Sequence, residues 1–482
     1  MGVMTARPAF TAFPARIDRH WDDEIVPQLI DYIRIPAKSP HFDPRWKENG
    51  HIEAAVEQAR RWVEAQRIEG LKLEVIRLEG RTPVLFFDVP ARGGGASSKS
   101  IVLYGHLDKQ PEMTGWREGF GPWIPVMEEG RLYGRGGADD GYAVFAAIAA
   151  IKAIDAESVS RPRCVGLIET CEESGSYDLP GYLDALAPRM GDVGLVIALD
   201  SGAGNYDQLW ATTSLRGLVN GTLRVDILTE GVHSGDAGGV VASSFRIARQ
   251  LLDRIDDSRT GAVKAKAFSC EIPADRMAQA RQAAGILGDS LWKRFPWSCC
   301  GDDRLFAQPV STDPVELILN RTWRAALAVT GADGLPPPES AGNVHRPFTT
   351  LKLSLRLPPL VDGEGAARSL KDLLERDPPY SARVTFDGSG SSGWNAPSTA
   401  PWLSGVLDAA SDLLWGKPAA YMGEGGTIPF MAMLNAKFPR AELLVTGVLG
   451  PKSNAHGPNE FIDIGYAKKV TAAVAMVIAS LP

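Results

Sequence analysis

The stretch Leu103-Tyr-Gly-His-Leu-Asp108 decides how this chain is interpreted. It continues an apolar run from Ile101 to Tyr104, which is typical of a buried β-strand. His106 and Asp108 are two residues apart, so on a strand their side chains share one face. A neutral imidazole there can bind a metal ion while a nearby carboxylate fixes its orientation. A single His-x-Asp pair also fits an ordinary loop without a metal, so further candidate ligands elsewhere in the chain are needed to predict a metal site.

Two further apolar runs end in acidic side chains. The run Arg163–Thr170 is followed by Glu172 and Glu173, and the run Val193–Leu199 is followed by Asp200. Strands and helices alternate in this part of the chain, which predicts an α/β sheet. Sites in such sheets lie beyond the carboxyl ends of the strands. Taken alone, the adjacent carboxylates fit a solvated charge pair equally well.

Two more candidates lie in predicted loops. Asp139 is in the glycine-rich stretch Leu132–Gly141, directly before a predicted helix, Tyr142–Ile154. The stretch has no Lys-Ser/Thr ending and no G-x-G-x-x-G pattern, so phosphate binding is a poor interpretation. The glycines instead let the backbone approach Asp139 closely at a helix start. His456 follows the last predicted strand, Leu443–Val448.

The composition is that of an ordinary globular protein, with 44% hydrophobic and 23% charged residues. A length of 482 residues predicts two or three domains. The net charge of −7 argues against nucleic-acid binding and against a polybasic membrane module. The five cysteines form no C-x-x-C pair, and neither a signal peptide nor an apolar run of about 18 residues is evident. We therefore expect a reducing, cytoplasmic location, with no membrane partner.

The pattern of elements changes after residue 213. Alternating strands and helices follow up to residue 392, interrupted by a long irregular segment between Ile255 and Thr349. This order predicts a small α+β domain inserted into the first one. The expected organisation is a first domain formed by residues 1–213 and 393–482, with an inserted domain formed by residues 214–392.

The strand-end and loop candidates form a set of two histidines and four carboxylates. A catalytic zinc usually takes three protein ligands, so this set is too large for one ion. It suits two zinc ions bridged by one carboxylate, with one carboxylate left over as a base. The candidates are His106, Asp139, Glu172, Glu173, Asp200 and His456.

At this point the chain resembles a known family, the di-zinc peptidases that include carnosine dipeptidases, bacterial dipeptidases, glutamate carboxypeptidases and aminoacylases. The matching pieces occur in the family's order along nearly the whole chain. They are Gly105-His-Leu-Asp108, Gly134-Arg-Gly-Gly-Ala-Asp-Asp140, Glu172-Glu173, Asp200, His233-Ser-Gly235, Glu424-Gly-Gly-Thr-Ile-Pro429 and Ala455-His456. The resemblance implies a zinc-exopeptidase-type catalytic domain, a mixed sheet flanked by helices, formed by residues 1–213 and 393–482. It also implies an α+β ferredoxin-like lid and dimerisation domain formed by residues 214–392.

The resemblance also implies roles for the six candidates. His106 and Asp200 would hold one metal, Glu173 and His456 the other, and Asp139 would bridge them. Asp108 would support His106, and Glu172 would be the general base. The metals would be two Zn²⁺ ions, with Mn²⁺ or Co²⁺ as alternatives. A cis peptide bond between Asp139 and Asp140 is implied as well.

Residues of the predicted lid would complete the site. By resemblance, His233 would reach the active site of the partner subunit in a homodimer and help to stabilise the tetrahedral oxyanion. Arg356 would clamp the terminal carboxylate of the substrate. The other substrate-binding candidates are Asn343, Gly425, Gly426 and Thr427. For His233 the alternative is a surface turn histidine, and for the glycines and Thr427 a plain helix cap. One departure stands out, because Gly141-Tyr142 replaces the Lys-Gly that commonly follows the Asp pair in the family.

The sequence therefore predicts a dinuclear metal hydrolase that cleaves an amide bond next to a free carboxylate, most simply a dipeptidase. The first alternative is an N-acyl amino acid deacylase, which uses the same chemistry. The second is a metal-free binding protein on the same fold.

Overall fold

A computed structural model of the chain describes residues 8–94, 96–298 and 307–482. It divides into two compact units. Unit 1 comprises Met1–Thr213, Ala396–Met422 and Phe430–Pro482, and unit 2 comprises Ser214–Asn395 and Gly423–Pro429. The catalytic and lid roles expected for such domains stay predictions. In the part of the chain that the structure describes, no helix combines the length and hydropathy needed to span a membrane.

The strands follow the β-branched and apolar runs of the sequence. In chain order they are β1 Lys72–Ile76, β2 Val84–Val89, β3 Ser100–His106, β4 Val126–Glu128, β5 Arg131–Tyr133, β6 Arg163–Glu169, β7 Val193–Ala198, β8 Trp210–Leu215, β9 Gly217–Asp226, β10 Val232–His233, β11 Ala326–Asp333, β12 Val344–His345, β13 Phe348–Leu357, β14 Arg383–Ser391, β15 Trp394–Asn395, β16 Ala420–Glu424, β17 Glu442–Val445 and β18 Phe461–Asp463.

The helices are mostly amphipathic, with one apolar face buried. In chain order they are α1 Phe13–His20, α2 Val26–Ile33, α3 Trp46–Asn49, α4 His51–Ala65, α5 Ala143–Ala156, α6 Leu179–Met190, α7 Ser234–Ala237, α8 Ser244–Ile255, α9 Ala274–Leu287, α10 Ser290–Lys293, α11 Pro314–Thr322, α12 Gly363–Glu375, α13 Pro401–Trp415, α14 Pro429–Lys437 and α15 Ile464–Ile478.

The central sheet of unit 1 has the strand order β1-β2-β6-β3-β7-β17. Strands β6, β3, β7 and β17 are parallel, whereas β1 and β2 are antiparallel to their neighbours. Every residue of β3 and β7 is buried, as expected when helices cover both faces of a sheet. Helix α5 is apolar nearly all round because it is sandwiched, packing against both α15 and β3. The predicted mixed sheet flanked by helices is confirmed.

The register of the parallel strands aligns the candidate residues at one edge of this sheet. His106 pairs with Glu169, so Glu172 and Glu173 come just beyond the end of β6. Tyr104 pairs with Ala198, so Asp200 is level with His106. The carboxyl ends of three neighbouring strands therefore deliver His106, the Glu172–Glu173 turn and Asp200 to one place.

Unit 2 contains an antiparallel sheet with the order β11-β13-β9-β14. Residues alternate between buried and half-exposed along β9 and β13, because helices α8 and α12 cover only one face. The chain order βαββαβ and this strand order are those of a ferredoxin-like fold. The expectation of an irregular segment between Ile255 and Thr349 is wrong, because that segment contains α9, α11 and β11. The Ala- and Gly-containing strand β11 is mostly exposed at the sheet edge, which explains its weak apolar pattern.

Candidate metal centre

Three side chains of unit 1 form a first ligand group, His106, Asp139 and Asp200. Nε2 of His106 lies 3.4 Å from Oδ1 of Asp139 and 3.9 Å from Oδ2 of Asp200. All three residues are buried, and their potential ligand atoms lie within 4.8 Å of one another. This spacing is suitable for one metal ion bound to one imidazole and two carboxylates.

Asp139 also belongs to a second ligand group, with Glu173 and His456. Nε2 of His456 lies 3.0 Å from Oδ2 of Asp139 and 3.3 Å from Oε2 of Glu173. The two oxygens of Asp139 thus face different groups, Oδ1 the first and Oδ2 the second. This is the arrangement that a carboxylate bridging two cations requires. The peptide bond between Asp139 and Asp140 is cis, as the resemblance implies.

The protonation of His106 tests whether a cation fits the first ligand group. Its Nδ1 lies 3.0 Å from the carbonyl oxygen of Asp108, which can only accept a hydrogen bond, so Nδ1 carries the proton. Nε2 is buried without a hydrogen-bond partner and faces carboxylate oxygens. In the neutral imidazole, a lone pair at Nε2 would be repelled by those oxygens unless a cation lay between them. The residues present therefore fit a metal ion.

The pKa values of the side chains in the two ligand groups also reflect an excess of negative charge. Burial raises the pKa of Asp200 to about 7, and burial together with the charge of Asp139 raises the pKa of Glu173 to about 8. Burial and the charge of Asp200 raise the pKa of Glu172 well above its usual range. Partial desolvation opposes the charging of His456, but the negative charge of Glu173 and its contact with Asp139 raise its pKa to about 10. These side chains thus hold protons that bound cations would displace.

Glu172 lies beside both groups but belongs to neither. Its Oε2 is 4.0 Å from Nε2 of His106, and its side chain is largely buried. The carboxylate of Asp108 accepts hydrogen bonds from the backbone N–H groups of Glu172 at 3.1 Å and Glu173 at 3.0 Å. Asp108 Oδ1 lies 3.6 Å from Nδ1 of His106, too far for a strong hydrogen bond. Asp108 therefore supports His106 through its carbonyl group, while its side chain holds the Glu172–Glu173 turn.

Several supporting residues were not identified from the sequence. Nε2 of Gln110 donates a hydrogen bond of 2.5 Å to Oε2 of Glu173. The buried hydroxyl of Tyr142 donates to the carbonyl oxygen of Leu199, directly before Asp200. Tyr142, which is part of the departure from the family pattern, thus supports the end of β7. These contacts join residues far apart in the chain, and the sequence carries no local signal for them.

In unit 2, Arg216 and Arg356 contact the turn formed by Gly425, Gly426 and Thr427. We call this turn, together with the two arginines, the cationic turn. Nη1 of Arg356 donates to the Thr427 hydroxyl at 3.0 Å, and that hydroxyl donates to the carbonyl oxygen of Arg216 at 2.6 Å. Arg216 also donates from its backbone N–H to Gly426 O and from Nε to Gly425 O, both at 3.0 Å. Burial and the nearby charges of Arg356 and Arg321 lower the pKa of Arg216 to about 10. Arg216 and Arg321 were not predicted from the sequence.

His233 and Asn343 lie together in another part of unit 2. His233 pairs with Val344 in the short β10–β12 ladder, and Ser234 N–H donates to Asn343 O at 2.9 Å. His233 is exposed, and its Nδ1 accepts a hydrogen bond from Gly235 N–H at 3.1 Å. Asn343 precedes β13, whereas Arg356 is close to its other end. The candidate oxyanion histidine and the candidate carboxylate clamp are therefore separated by nearly the full length of a strand.

Comparison with known proteins finds relatives that are similar along most of the chain. The chain is 25% identical over 434 residues to the cysteinylglycine-S-conjugate dipeptidase of Corynebacterium striatum, covering 88% of this chain and 89% of the relative. It is 24% identical over 457 residues to a Cys-Gly metallodipeptidase of Schizosaccharomyces pombe, covering 92% of each. The crystal structure of human carnosine dipeptidase 1 has the same fold, with a TM-score of 0.75 over 99% of both chains at 20% identity.

The family assignment rests on a match to a family model that covers most of the chain. The model of peptidase family M20/M25/M40 matches residues 102–480, which include every candidate side chain of both ligand groups. Because this match spans well over half of the chain, the protein is a metallopeptidase that belongs to family M20/M25/M40.

Proposed function

We propose that this protein is a dinuclear metal-dependent dipeptidase that cleaves the amide bond next to a free C-terminal carboxylate. The observation that carries the proposal is the position of Asp139, whose two oxygens lie 3.4 Å from His106 and 3.0 Å from His456. Two cations held here would polarise the amide carbonyl and acidify a water molecule. Zn²⁺ suits the imidazole and carboxylate ligands, as do Mn²⁺ and Co²⁺.

Glu172 is proposed as the general base. Its carboxylate is buried beside the first ligand group and is not needed as a ligand in either group. It would accept a proton from the attacking water and deliver that proton to the leaving amine nitrogen. The hydrogen bonds from the backbone of Glu172 and Glu173 to Asp108 keep the proposed base and the neighbouring ligand in a fixed relation.

Arg356 and the turn formed by Gly425, Gly426 and Thr427 are proposed to bind the substrate carboxylate. Arg356 and Arg216 have no carboxylate partner among the ion pairs of the described residues. A guanidinium group that is largely buried and lacks a counter-ion is stabilised by an anionic ligand. The names of the two relatives from Corynebacterium and Schizosaccharomyces support a dipeptide as the substrate.

We propose a homodimer in which His233 and Asn343 serve the active site of the partner. Arg356 lies eight residues beyond Phe348, about 26 Å along the strand at the usual rise per residue. A dipeptide spans only about 7 Å, so His233 and Arg356 of one chain do not reach the same substrate molecule. The exposed edge strand β11 offers unpaired backbone groups for association.

A reducing, cytoplasmic location is proposed from the thiol groups. Cys164 and Cys171 are buried and free, and burial raises the pKa of Cys164 to about 12, which makes it unreactive. Cys270 is also free, while Cys299 and Cys300 lie outside the described residues.

The experiment that tests the proposed function is a substrate panel with metal control. Purified protein is treated with chelator, reloaded with Zn²⁺, Mn²⁺ or Co²⁺, and assayed with dipeptides, C-terminally amidated dipeptides and N-acyl amino acids. We expect metal-dependent hydrolysis of free dipeptides and little hydrolysis of the amides. Faster hydrolysis of N-acyl amino acids would favour the deacylase alternative, and metal-independent behaviour would exclude the dinuclear mechanism.

A further inference from the structure

Arg135 is a buried arginine whose guanidinium group contacts the loop of a candidate metal ligand. It follows β5 and forms an ion pair with Glu460, and both side chains are only 1% exposed. Nη2 of Arg135 donates to the carbonyl oxygen of His456 at 3.0 Å and to that of Gly457 at 2.9 Å. Nε donates to Pro111 O at 3.3 Å. The guanidinium group thus holds the backbone of a residue in the second ligand group.

Glu460 extends this connection to the turn that carries Asp139. Its Oε1 accepts a hydrogen bond from Gly136 N–H at 2.9 Å, and its carbonyl oxygen accepts one from Gly134 N–H at 3.0 Å. The next residue, Phe461, pairs with Tyr133 in the β5–β18 ladder. The Arg135–Glu460 pair therefore joins the segment before Asp139 to the segment around His456, two loops that are distant in sequence.

The loop of His456 depends on such external support. Lys452, Asn454, His456 and Asn459 all have positive φ, at 68°, 56°, 66° and 60°. Non-glycine residues adopt this left-handed conformation only when surrounding contacts hold them in it. The imidazole of His456 is 56% exposed, so packing of its side chain cannot fix the loop. Its carbonyl group, held by Arg135, is the better candidate for the anchor.

The first ligand group has a different kind of support. His106 is the last residue of the fully buried strand β3, and Asp200 follows β7, the neighbouring strand in the same sheet. The sheet ladder positions His106, and the hydrogen bond from Tyr142 to Leu199 O holds the residue before Asp200, both without help from Arg135. A change at Arg135 or Glu460 should therefore weaken the second ligand group more than the first, because the two groups share only Asp139 and the His456 loop belongs to the second alone.

We propose that Arg135 and Glu460 are positioning residues that set the cation affinity of the second ligand group, Asp139, Glu173 and His456, more strongly than that of the first. This inference rests on the dinuclear site proposed above. Partners that orient metal ligands typically change metal affinity ~10–100-fold when they are removed. The expected signature is a protein that still binds one cation tightly and has lost affinity for the other by this factor.

The test is a metal titration of three variants, Arg135→Lys, Arg135→Met and Glu460→Gln. Metal-free protein is titrated with Co²⁺, followed by visible absorption, and Zn²⁺ stoichiometry is measured after gel filtration at limiting metal. Arg135→Lys keeps a positive charge beside Glu460, but a single ammonium group cannot reproduce the planar fork of donors. His456→Ala serves as the reference for loss of the second cation, and combining it with Arg135→Lys should add no further loss.

The matched control is Arg161→Met. Arg161 is also 1% exposed, donates to both oxygens of Asp155 at 2.8 and 3.0 Å and to a backbone carbonyl, Pro90 O, at 2.7 Å. It reaches neither ligand group. This variant should lose thermal stability while it still binds two cations with unchanged affinity.

The outcomes separate a positioning role from a general structural role. Loss of one cation in the Arg135 and Glu460 variants, with activity restored by excess metal, would support the inference. Unchanged affinity for both cations would overturn it, and so would an equal weakening of both cations. If the unmodified protein itself binds fewer than two cations, the dinuclear proposal fails first, and this result is visible before any variant is made.

Discussion

Gln110 donates a hydrogen bond of 2.5 Å to the carboxylate of Glu173, a residue of the second ligand group. The bond fixes the rotamer of Glu173 and counteracts the effect of burial on its pKa. We predict that Gln110→Leu weakens the binding of one cation by at least ~10-fold, as expected for the loss of a partner that orients a ligand. Isothermal titration of metal-free protein measures this. Gln58→Leu is the control, because Gln58 Nε2 donates to Gln28 O, away from both ligand groups.

Glu172 and Glu173 are adjacent, yet we predict that replacing each of them by Gln has a different effect. Glu172→Gln should retain two cations and lose at least ~100-fold in kcat, the usual size of a general acid–base contribution. Glu173→Gln should lose one cation. Metal content and turnover, measured side by side on both variants, provide the check. Near-normal turnover of Glu172→Gln would remove Glu172 from the base role.

Arg356→Ala should raise KM for dipeptides with a free C-terminal carboxylate by ~10-fold or more, because a charge-assisted hydrogen bond to the substrate is lost. Hydrolysis of C-terminally amidated dipeptides should stay at its low initial level. The control is Arg324→Ala, since Arg324 already pairs with Glu316 and is not part of the cationic turn. An equal loss on free and amidated substrates would contradict the clamp.

Cation binding should depend on pH. The pKa of Asp200 is raised to about 7, that of Glu173 to about 8 and that of His456 to about 10, so all three carry protons at lower pH in the metal-free protein. Cations displace these protons, so apparent affinity should rise with pH between about 6 and 8, and binding should release protons. Titrations in buffers of different ionisation enthalpy measure the release. An affinity that does not change with pH would show that these three groups are already deprotonated in the metal-free protein.

Gly141 has no room for a side chain, because an added Cβ would lie 2.1 Å from a ring carbon of Tyr32 and 2.7 Å from Gly136 O. We predict that Gly141→Ala destabilises the protein by about 1–3 kcal/mol, the usual effect of overpacking. Urea unfolding provides the measurement. At Gly405, inside α13, an added Cβ meets nothing within 4 Å, so Gly405→Ala should be neutral or stabilising by up to about 1 kcal/mol.

The parts of the fold that were predictable from sequence are those with a strong local signal. The apolar runs that became β3, β6 and β7 also end where the candidate ligands begin, because parallel strands bring their carboxyl ends to one sheet edge. Strand β11 was missed because an exposed edge strand lacks a regular apolar pattern. The contacts of Gln110 and Arg216 were missed for another reason: they link residues that only the tertiary fold brings together.

The hydrogen bonds that Asp108 accepts from two successive backbone amides have a mechanical consequence. Both amides belong to one short turn, so displacing the end of β3 would shift that turn as a single piece. The proposed general base and the proposed cation ligand in this turn would then move together and keep their mutual spacing during thermal fluctuation. Distortion of this edge of the sheet would change the depth of both carboxyl groups in the site, while the distance between them would be preserved.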